Sequence, residues 1–277
     1  MIDIHSHILP GIDDGAPNVE VALRMARIAV ADGIRVMACT PHITPGVYPN
    51  TSASIHAAID AFRLALIEAE IPLTLVAGAD AQICPELLGD VIAGKVPTLN
   101  GGRYFLLEPP HHVAPPRFKE SVQQFIDAGY VPIITHPERL TWINSHYPML
   151  KDLVKRGAWM QVTAASLLGQ FGVAAERCAM RMLKDGLVHV IASDAHSDLK
   201  RKPEMRSAFD LARVIMGDLE ADQMVNGRPS AALRNAPHEE VAMVPYLKGI
   251  QTGNALKAIC WRTQRQARSV LHAILGR

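Results

Sequence analysis

Met1-Ile2-Asp3-Ile4-His5-Ser6-His7-Ile8 opens the chain, followed by a bend at Pro10-Gly11 and then Asp13-Asp14-Gly15. The first four residues read as a short strand. His5 and His7 stand at i and i+2 on an extended segment, where side-chain direction repeats every second residue, so both imidazoles face one side. One metal ion at the strand's end is within reach of both. A single His-x-His pair has a plain structural alternative, two partly buried, hydrogen-bonded histidines. The pair gains weight because the same kind of polar residue follows an apolar run five more times along the chain.

Working outward, residues 18–32 (NVEVALRMARIAVAD) place Val19, Ala22, Leu23, Ala26 and Val30 on one helical face, with Gly33 as the cap. Residues 34–39 (IRVMAC) are a compact apolar strand ending at Thr40-Pro41-His42. After a loop over 44–52 come a helix over 54–69 and a strand over 73–77 (LTLVA), ending at Gly78-Ala79-Asp80. A short helix over 85–92 and a connector over 95–99 lead to the strand 103–107 (RYFLL), which ends at Glu108. Helix 118–128, closed by Gly129, precedes strand 130–135 (YVPIIT) and His136-Pro137-Glu138-Arg139. Helix 149–156, strand 158–162 and helix 174–185 follow. The last clear strand, 188–192 (VHVIA), ends at Ser193-Asp194-Ala195-His196. Helices over 204–216 and 219–225 complete the unit, which closes at Asn235-Ala236-Pro237.

Seven strand–helix units in alternation argue for parallel strands with helices outside. An open sheet gathers its functional residues at one switch point, whereas all strand ends of a barrel converge at one mouth. Ligand-type residues after almost every strand therefore favour an α/β fold closed as a seven-stranded (β/α)7 barrel over residues 1–240. Residues 241–277 read as a separate extension: no acidic residue lies beyond Glu240, while Lys248, Lys257, Arg262, Arg265, Arg268 and Arg277 are basic. Within 254–275, Leu256, Ile259, Cys260, Ala267, Val270 and Ile274 share one helical stripe, and Lys257, Arg265, Arg268 and His272 another. This reads as a helix packed on the barrel or on a second subunit, or as a basic helix meeting a partner or membrane face.

The totals agree with one enzyme-sized unit. A chain of 277 residues with 49 % hydrophobic and 20 % charged residues can bury a large core. Its net charge of +1 gives no global attraction to nucleic acid or membrane. Cys39, Cys84, Cys178 and Cys260 are widely spaced without a C-x-x-C clip, so neither a disulfide framework nor a cysteine zinc site is suggested, and a reduced, cytoplasmic setting is expected. No signal peptide and no membrane-spanning helix are expected.

Collected, the strand-end residues are His5, His7, Asp14, His42, Asp80, Glu108, His136, Asp194 and His196. So many imidazoles and carboxylates at one mouth would force each other's pKa values apart unless cations lay among them. Mixed His/Asp/Glu ligation suits Mn²⁺, Fe²⁺ or Zn²⁺ with open coordination positions, and the donors exceed the needs of one ion, so two or three are expected. His56, His111, His146, His189, His238 and His272 are set aside as loop, helix or mid-strand residues, while His112 stays a candidate for its closeness to the mouth. A cysteine-based phosphatase needs an arginine six residues after its nucleophile, but Pro45, Asp90, Lys184 and Gln266 stand there. No phosphate-binding glycine-rich motif of the G-x-x-x-x-G-K or G-x-G-x-x-G kind is present.

The ordered set His5-Ser6-His7 with Asp13-Asp14-Gly15, Thr40-Pro41-His42, Gly78-Ala79-Asp80, Glu108, His136-Pro137-Glu138-Arg139 and Ser193-Asp194-Ala195-His196 resembles the PHP (polymerase and histidinol phosphatase) superfamily. Within it, the chain most resembles the bacterial capsule and exopolysaccharide protein-tyrosine phosphatases, over roughly residues 1–236. The resemblance implies a distorted seven-stranded barrel with up to three metal ions, commonly manganese. His5, His7, Asp80 and Asp194 would hold the first, Asp80, Glu108 and His136 the second, and Asp14, His42 and His196 the third. Arg139 and Arg201 match arginines of the family's motifs, and a guanidinium binds phosphate oxygens in bidentate fashion. The implied activity is metal-assisted hydrolysis of phosphotyrosine. The implied partner is a phosphotyrosine protein, a membrane-anchored bacterial tyrosine kinase of polysaccharide export. One departure stands out: Asp80 occupies the bridging position where the family usually has the longer Glu. The rival readings are another PHP phosphoesterase, either a histidinol-phosphate phosphatase or a nuclease, and a non-catalytic PHP barrel serving as a binding module. Net charge and 5 % aromatics weigh against a nucleic-acid groove. Oligomeric state is left open.

Overall fold

The structure, a computed structural model, describes residues 1–250; the helix read over 254–275 lies outside the described residues. The first helix shows how local sequence sets its ends. Asn18 caps α1 (Val19–Asp32) by accepting from the Val21 N–H at 3.0 Å, and Gly33, at φ 97, closes it through the left-handed turn that a Cβ disfavours. Further helices among the described residues include α2 (Ser52–Glu68), α3 (Leu87–Ile92), α4 (Phe118–Asp127), α5 (Tyr147–Arg156), α6 (Ala164–Leu167), α7 (Val173–Lys184), α8 (Arg206–Met216), α9 (Asp218–Asp222) and α10 (Arg228–Leu233).

The described strands all pair in parallel. Strands β1 (Ile2–Asp3), β2 (Val36–Cys39) and β4 (Thr74–Ala77) form one sheet in the order β1-β2-β4. Strands β3 (His42–Ile43), β5 (Asp80–Gln82), β6 (Tyr104–Glu108), β7 (Val131–Thr135), β8 (Trp159–Thr163) and β9 (Val190–Ala192) form a second in the order β3-β5-β6-β7-β8-β9. The fold is thus α/β with parallel sheets. The seven expected strands occur in sequence order, but β3 and β5 add to them, and the described strands make two sheets rather than one closed ring. The extra strands arise just past the ends of two expected strands, where the ladder breaks and resumes. Pro41 has no N–H to extend the ladder. Gly78 lies so close to its neighbours that a Cβ would stand 2.9 Å from Leu99 Cδ2 and 3.0 Å from Thr40 Cγ2. Beyond each break the chain resumes as β3 or β5, carrying His42 or Asp80 as its first residue. At the other edges, Ser6 bridges Ala195 in parallel and the His7 N–H donates to the Ala195 carbonyl at 2.8 Å, seating the end of the first strand against the turn after the last.

The main core lies between strands and outer helices. A smaller cluster of strand residues, Ile4, Ala38, Tyr104, Leu106, Ile133, Trp159, Val190 and Ala192, packs with Leu99 and with Ala232 and Leu233 of α10. Within that cluster, Tyr104 Oη donates to the Ala236 carbonyl at 2.8 Å.

A continuous helix over 219–225 is replaced by α9 and a π-helical turn at Gln223–Gly227, where a Cβ on Gly227 would meet Gln223 Oε1 at 2.2 Å. Just beyond, the fully buried Arg228 donates through Nη2 to Glu220 Oε1 (2.6 Å) and the Met243 carbonyl (3.2 Å), and through Nε to the Ala242 carbonyl (2.8 Å). No helix of the described residues is long and apolar enough to cross a membrane.

Candidate metal centre

Most functional side chains close or follow a strand: His5 and His7 follow β1, Glu108 closes β6, His136 follows β7, and Asp194 and His196 follow β9, whereas His42 and Asp80 open β3 and β5 and Asp14 comes from the loop after His7. His136 (φ 33) and Asp194 (φ 51) take left-handed backbone conformations, at about 1–3 kcal/mol each. Neighbouring bonds hold them there: the Asp194 N–H donates to the His5 carbonyl at 2.9 Å, and the His136 N–H to Gln161 Oε1 at 3.3 Å.

The imidazoles are oriented from behind. His5 Nδ1 bonds Gln161 Oε1 at 2.9 Å, and His7 Nδ1 bonds Asp13 Oδ2 at 2.7 Å. Asp13 also accepts from the His42 N–H at 3.0 Å and, through Oδ1, from the Gly15 N–H at 2.9 Å. Gly15 is required at this spot, since a Cβ there would lie 2.0 Å from the His7 carbonyl oxygen. With both Nδ1 atoms engaged as donors, the Nε2 atoms of His5 and His7 face each other at 3.2 Å. Two lone pairs so directed need a cation or proton between them.

The carboxylates complete the picture. Asp80 Oδ2 lies 3.4 Å from His5 Nε2, 3.7 Å from His42 Nδ1 and 3.9 Å from His136 Nε2. Glu108 lies 3.4 Å from His42 Nδ1 and 3.7 Å from His136 Nε2. Asp14 Oδ1 lies 3.6 Å from His42 Nε2 and 3.4 Å from His196 Nε2. Asp194 Oδ1 faces His5, His7 and His196 at 3.5, 3.6 and 3.6 Å. These gaps exceed hydrogen bonds, yet two ligand atoms each about 2.1 Å from a shared ion stand roughly 3.0–3.5 Å apart.

The residues fit divalent cations on a further count. Asp80 is fully buried, and neither of its carboxylate oxygens has a hydrogen-bond partner; His42 Nδ1 is likewise unpartnered. An unsatisfied buried polar group costs about 1–3 kcal/mol, more when charged, and a cation among these donors would remove that cost. Four donor groupings arise: His5, His7 and Asp80; His42, Asp80 and Glu108; His7, Asp14, His42 and His196; and Glu108, His111 and His136.

Electrostatics follow from burial and crowding. Burial alone would lower the His5 pKa, but Asp80 and Asp194 outweigh it and push it up to about 9. His42 is opposed by burial and lifted to about 10 by Glu108 and Asp80. His7 is driven well below the usual histidine value by burial and by the neighbouring His196, His42 and His5. Burial, then Glu108, pushes Asp80 upward. Asp194 overcomes burial to stay well below the usual carboxylate range because His5, Arg201 and Arg139 surround it.

Both expected arginines converge on Asp194. Arg139 Nη1 bonds Asp194 Oδ2, and Arg201 Nη2 reaches the same oxygen at 2.7 Å. The loop between His196 and Arg201 folds back to do this, with the His196 N–H donating to the Arg201 carbonyl at 2.9 Å. Asp194 therefore turns one oxygen to three imidazoles and the other to two guanidiniums.

Sequence reasoning missed several participants. Asp13 was legible only as half of an Asp-Asp-Gly turn, and Gln161 as a lone polar residue in a buried strand. His111, set aside as a loop residue, brings Nε2 to 3.7 Å from Glu108 Oε1. His112 is exposed and joins no donor grouping among the described residues. Phe171, which stacks on Arg139 with its ring centroid 4.3 Å from Cζ, carried no signal. The three described cysteines, Cys39, Cys84 and Cys178, are free, and burial pushes each thiol upward, Cys178 to about 12. None of these three is a poised nucleophile.

Parallel sheets that gather imidazoles and carboxylates, with two arginines beside them, define an α/β protein with four side-chain groupings that could hold metal ions. Over residues 1–234 the chain matches the family described as capsular polysaccharide synthesis, CpsB/CapC, and it belongs to that family. It is 38 % identical over 239 residues to the tyrosine-protein phosphatase YwqE of Bacillus subtilis, covering 85 % of this chain and 92 % of that one. It is 26 % identical over 234 residues to the tyrosine-protein phosphatase CpsB of Streptococcus pneumoniae, covering 83 % of this chain and 96 % of that one. A solved structure from work on YwqE and CpsB, described as metal-dependent tyrosine phosphatases, superposes with a TM-score of 0.82 at 35 % identity, covering 86 % of this chain and 96 % of the other.

Proposed function

We propose that the chain is a metal-dependent protein-tyrosine phosphatase. The observation that carries this reading is the division of Asp194, between imidazoles on one side and Arg139 and Arg201 on the other. Such a carboxylate joins a cation site to an anion site, and phosphoester hydrolysis needs both side by side. The names of the relatives support phosphotyrosine as the substrate. His5, His7, Asp80 and Asp194 would hold one ion, Asp80, Glu108 and His136 a second, and Asp14, His42 and His196 a third, with Mn²⁺ the favoured metal. Ions held there supply, when bound, a lowered pKa for water and positive charge against the phosphoryl oxygens.

The chain's own residues do the rest. Arg139 and Arg201 bind the non-bridging phosphate oxygens with the guanidinium N–H groups that Asp194 does not occupy. Gln161 and Asp13 keep the Nε2 atoms of His5 and His7 turned inward. A phenol has a pKa of about 10, far below an alcohol's, so the tyrosyl oxygen leaves without a dedicated proton donor. On this reading the two sheets are parts of a distorted barrel over residues 1–240, joined through Ser6 and Ala195, with 241–277 a basic extension. The family's tie to capsular polysaccharide synthesis supports a tyrosine kinase of that machinery as the partner, and the free cysteines support a cytoplasmic site of action.

The test is turnover by metal-stripped protein re-supplied with Mn²⁺, on a phosphotyrosine peptide beside histidinol phosphate and single-stranded DNA. Manganese-dependent hydrolysis favouring the peptide is expected. Preference for either of the others moves the activity to a different phosphoesterase; no turnover with a full set of metals points to another substrate or to a site disabled by Asp80, and no turnover with less than a full set makes the chain a binding module.

A further inference from the structure

Beside the metal centre lies a cavity of about 490 Å³ whose lining includes His111, Arg139, Leu140, Asn144, Phe171 and Ala175. Two of these residues also border the donor cluster. His111 stands 3.7 Å from Glu108 and its ring 4.9 Å from that of His136, while Arg139 grips Asp194. A substituent on a phosphate held by Arg139 therefore has this cavity as its neighbour. We propose that the cavity is the subsite for the aromatic ring of an aryl phosphate, with Phe171 as its specificity-determining wall. This rests on the reading of the cluster as a phosphomonoester hydrolase.

Phe171 is presented by a tight loop between α6 and α7, bracketed by Gly169 (φ 75) and Gly172 (φ 85), both in the left-handed region that disfavours other residues. Its ring centroid lies 4.3 Å from Arg139 Cζ and 5.6 Å from Arg201 Cζ, so a half-buried aromatic surface flanks both phosphate-binding groups. Around it the apolar part of the wall is Leu140, Ala174 and Ala175, with His111, Thr141 and Asn144 as neutral polar groups of the lining. The carboxylate in the lining, Glu138, is 3 % exposed; its Oε1 accepts from the Thr163 N–H at 3.0 Å and its Oε2 is buried without a hydrogen-bond partner. A wall that is apolar, aromatic and guanidinium-lined suits a neutral phenyl ring, which packs edge or face against another ring and against Arg. It offers little to the ammonium of an amino-alcohol phosphate. The subsite thus separates aryl from alkyl esters by contact, independently of leaving-group chemistry.

Binding of phenylphosphonate and of methylphosphonate to the Mn²⁺-loaded full chain, by calorimetry, isolates this contact, because neither ligand is hydrolysed. The native chain should bind phenylphosphonate at least about tenfold more tightly, equivalent to about 1.4 kcal/mol. Phe171→Leu should shrink that ratio by about three- to tenfold while methylphosphonate affinity and metal content hold. Ala174→Trp, at an exposed rim position, fills the cavity without touching the core and should weaken phenylphosphonate alone. An absent phenyl preference in the native chain overturns the subsite. So does an unchanged ratio in both variants, or an equal loss for both ligands in Phe171→Leu, which would reduce Phe171 to steadying the arginines. Phenyl preference without phosphotyrosine turnover would instead fault the proposed function and leave the subsite standing.

Discussion

Loading the cluster with divalent ions should expel about two protons at pH 7.5. Before ions bind, His5 and His42 have pKa values near 9 and 10, because Asp80, Asp194 and Glu108 outweigh their burial. Both are then largely protonated at pH 7.5, whereas burial and like charge already keep His7 and His136 neutral. A histidine must lose its proton to ligate a metal. Two protons released together make the overall binding constant rise about 100-fold per pH unit, about 2.7 kcal/mol, from pH 7 toward 8.5. Titrating Mn²⁺ into metal-free protein in buffers of different ionisation enthalpy reads the proton count from the slope of heat against that enthalpy. A slope near zero, with affinity flat from pH 7 to 8.5, would mean that the imidazoles are neutral before metal arrives and would refute the argument. Stability gives a second view. A histidine whose pKa is raised on folding contributes stability that is complete below its unfolded value of about 6.5 and is lost as pH climbs through the folded value. The metal-free chain should therefore weaken between pH 7 and 10, and the loaded chain should not.

Alanine in place of Arg139 or Arg201 should lower kcat/KM on a phosphotyrosine peptide by about 10²- to 10³-fold with metal content by mass spectrometry intact; lost metal would assign these arginines to holding Asp194 instead. Gln161→Leu removes the group behind His5 Nδ1 and should weaken Mn²⁺ binding about 10- to 100-fold, so an unchanged affinity would deny Gln161 that part. Gly15→Ala forces a Cβ against the His7 carbonyl and should lower thermal stability by about 1–3 kcal/mol together with metal affinity; a variant matching the parent in both would show that the loop yields freely.

What could be read from the chain was whatever period and punctuation control. A polar residue just past an apolar strand faces the same end as its fellows, which is why residues as distant as His5 and His196 group together from sequence alone. The reading failed where the decision is three-dimensional. Asp13 and Asp14 look equivalent in sequence, yet the turn sends Asp13 behind His7 and Asp14 toward His42 and His196. His111 sits in a loop that no periodicity predicts; it is held because the Thr141 N–H donates to its carbonyl at 3.0 Å and Trp142 Nε1 to the Pro110 carbonyl at 2.9 Å. The closed ring was argued from the ligand-type residues that follow almost every apolar run, a pattern blind to the short strands β3 and β5. Pro41 and Gly78 sit beyond the apolar letters that defined those runs, and the strands resume after them.

Arg228 bears on where this protein can be cut. Its guanidinium is buried with Glu220 as its charged partner, and much of its remaining hydrogen bonding comes from the carbonyls of Ala242 and Met243. Val244 is fully covered, and the Tyr246 N–H donates to the Gly186 carbonyl at 3.1 Å. A chain shortened at residue 240 would keep the Glu220 partner but strip two carbonyl acceptors from that buried guanidinium, at about 1–3 kcal/mol for each group left unsatisfied. Shortened after Tyr246, the clasp survives. A phenotype from the shorter form would then report a loosened fold rather than a lost docking tail, and only the longer form could separate the two.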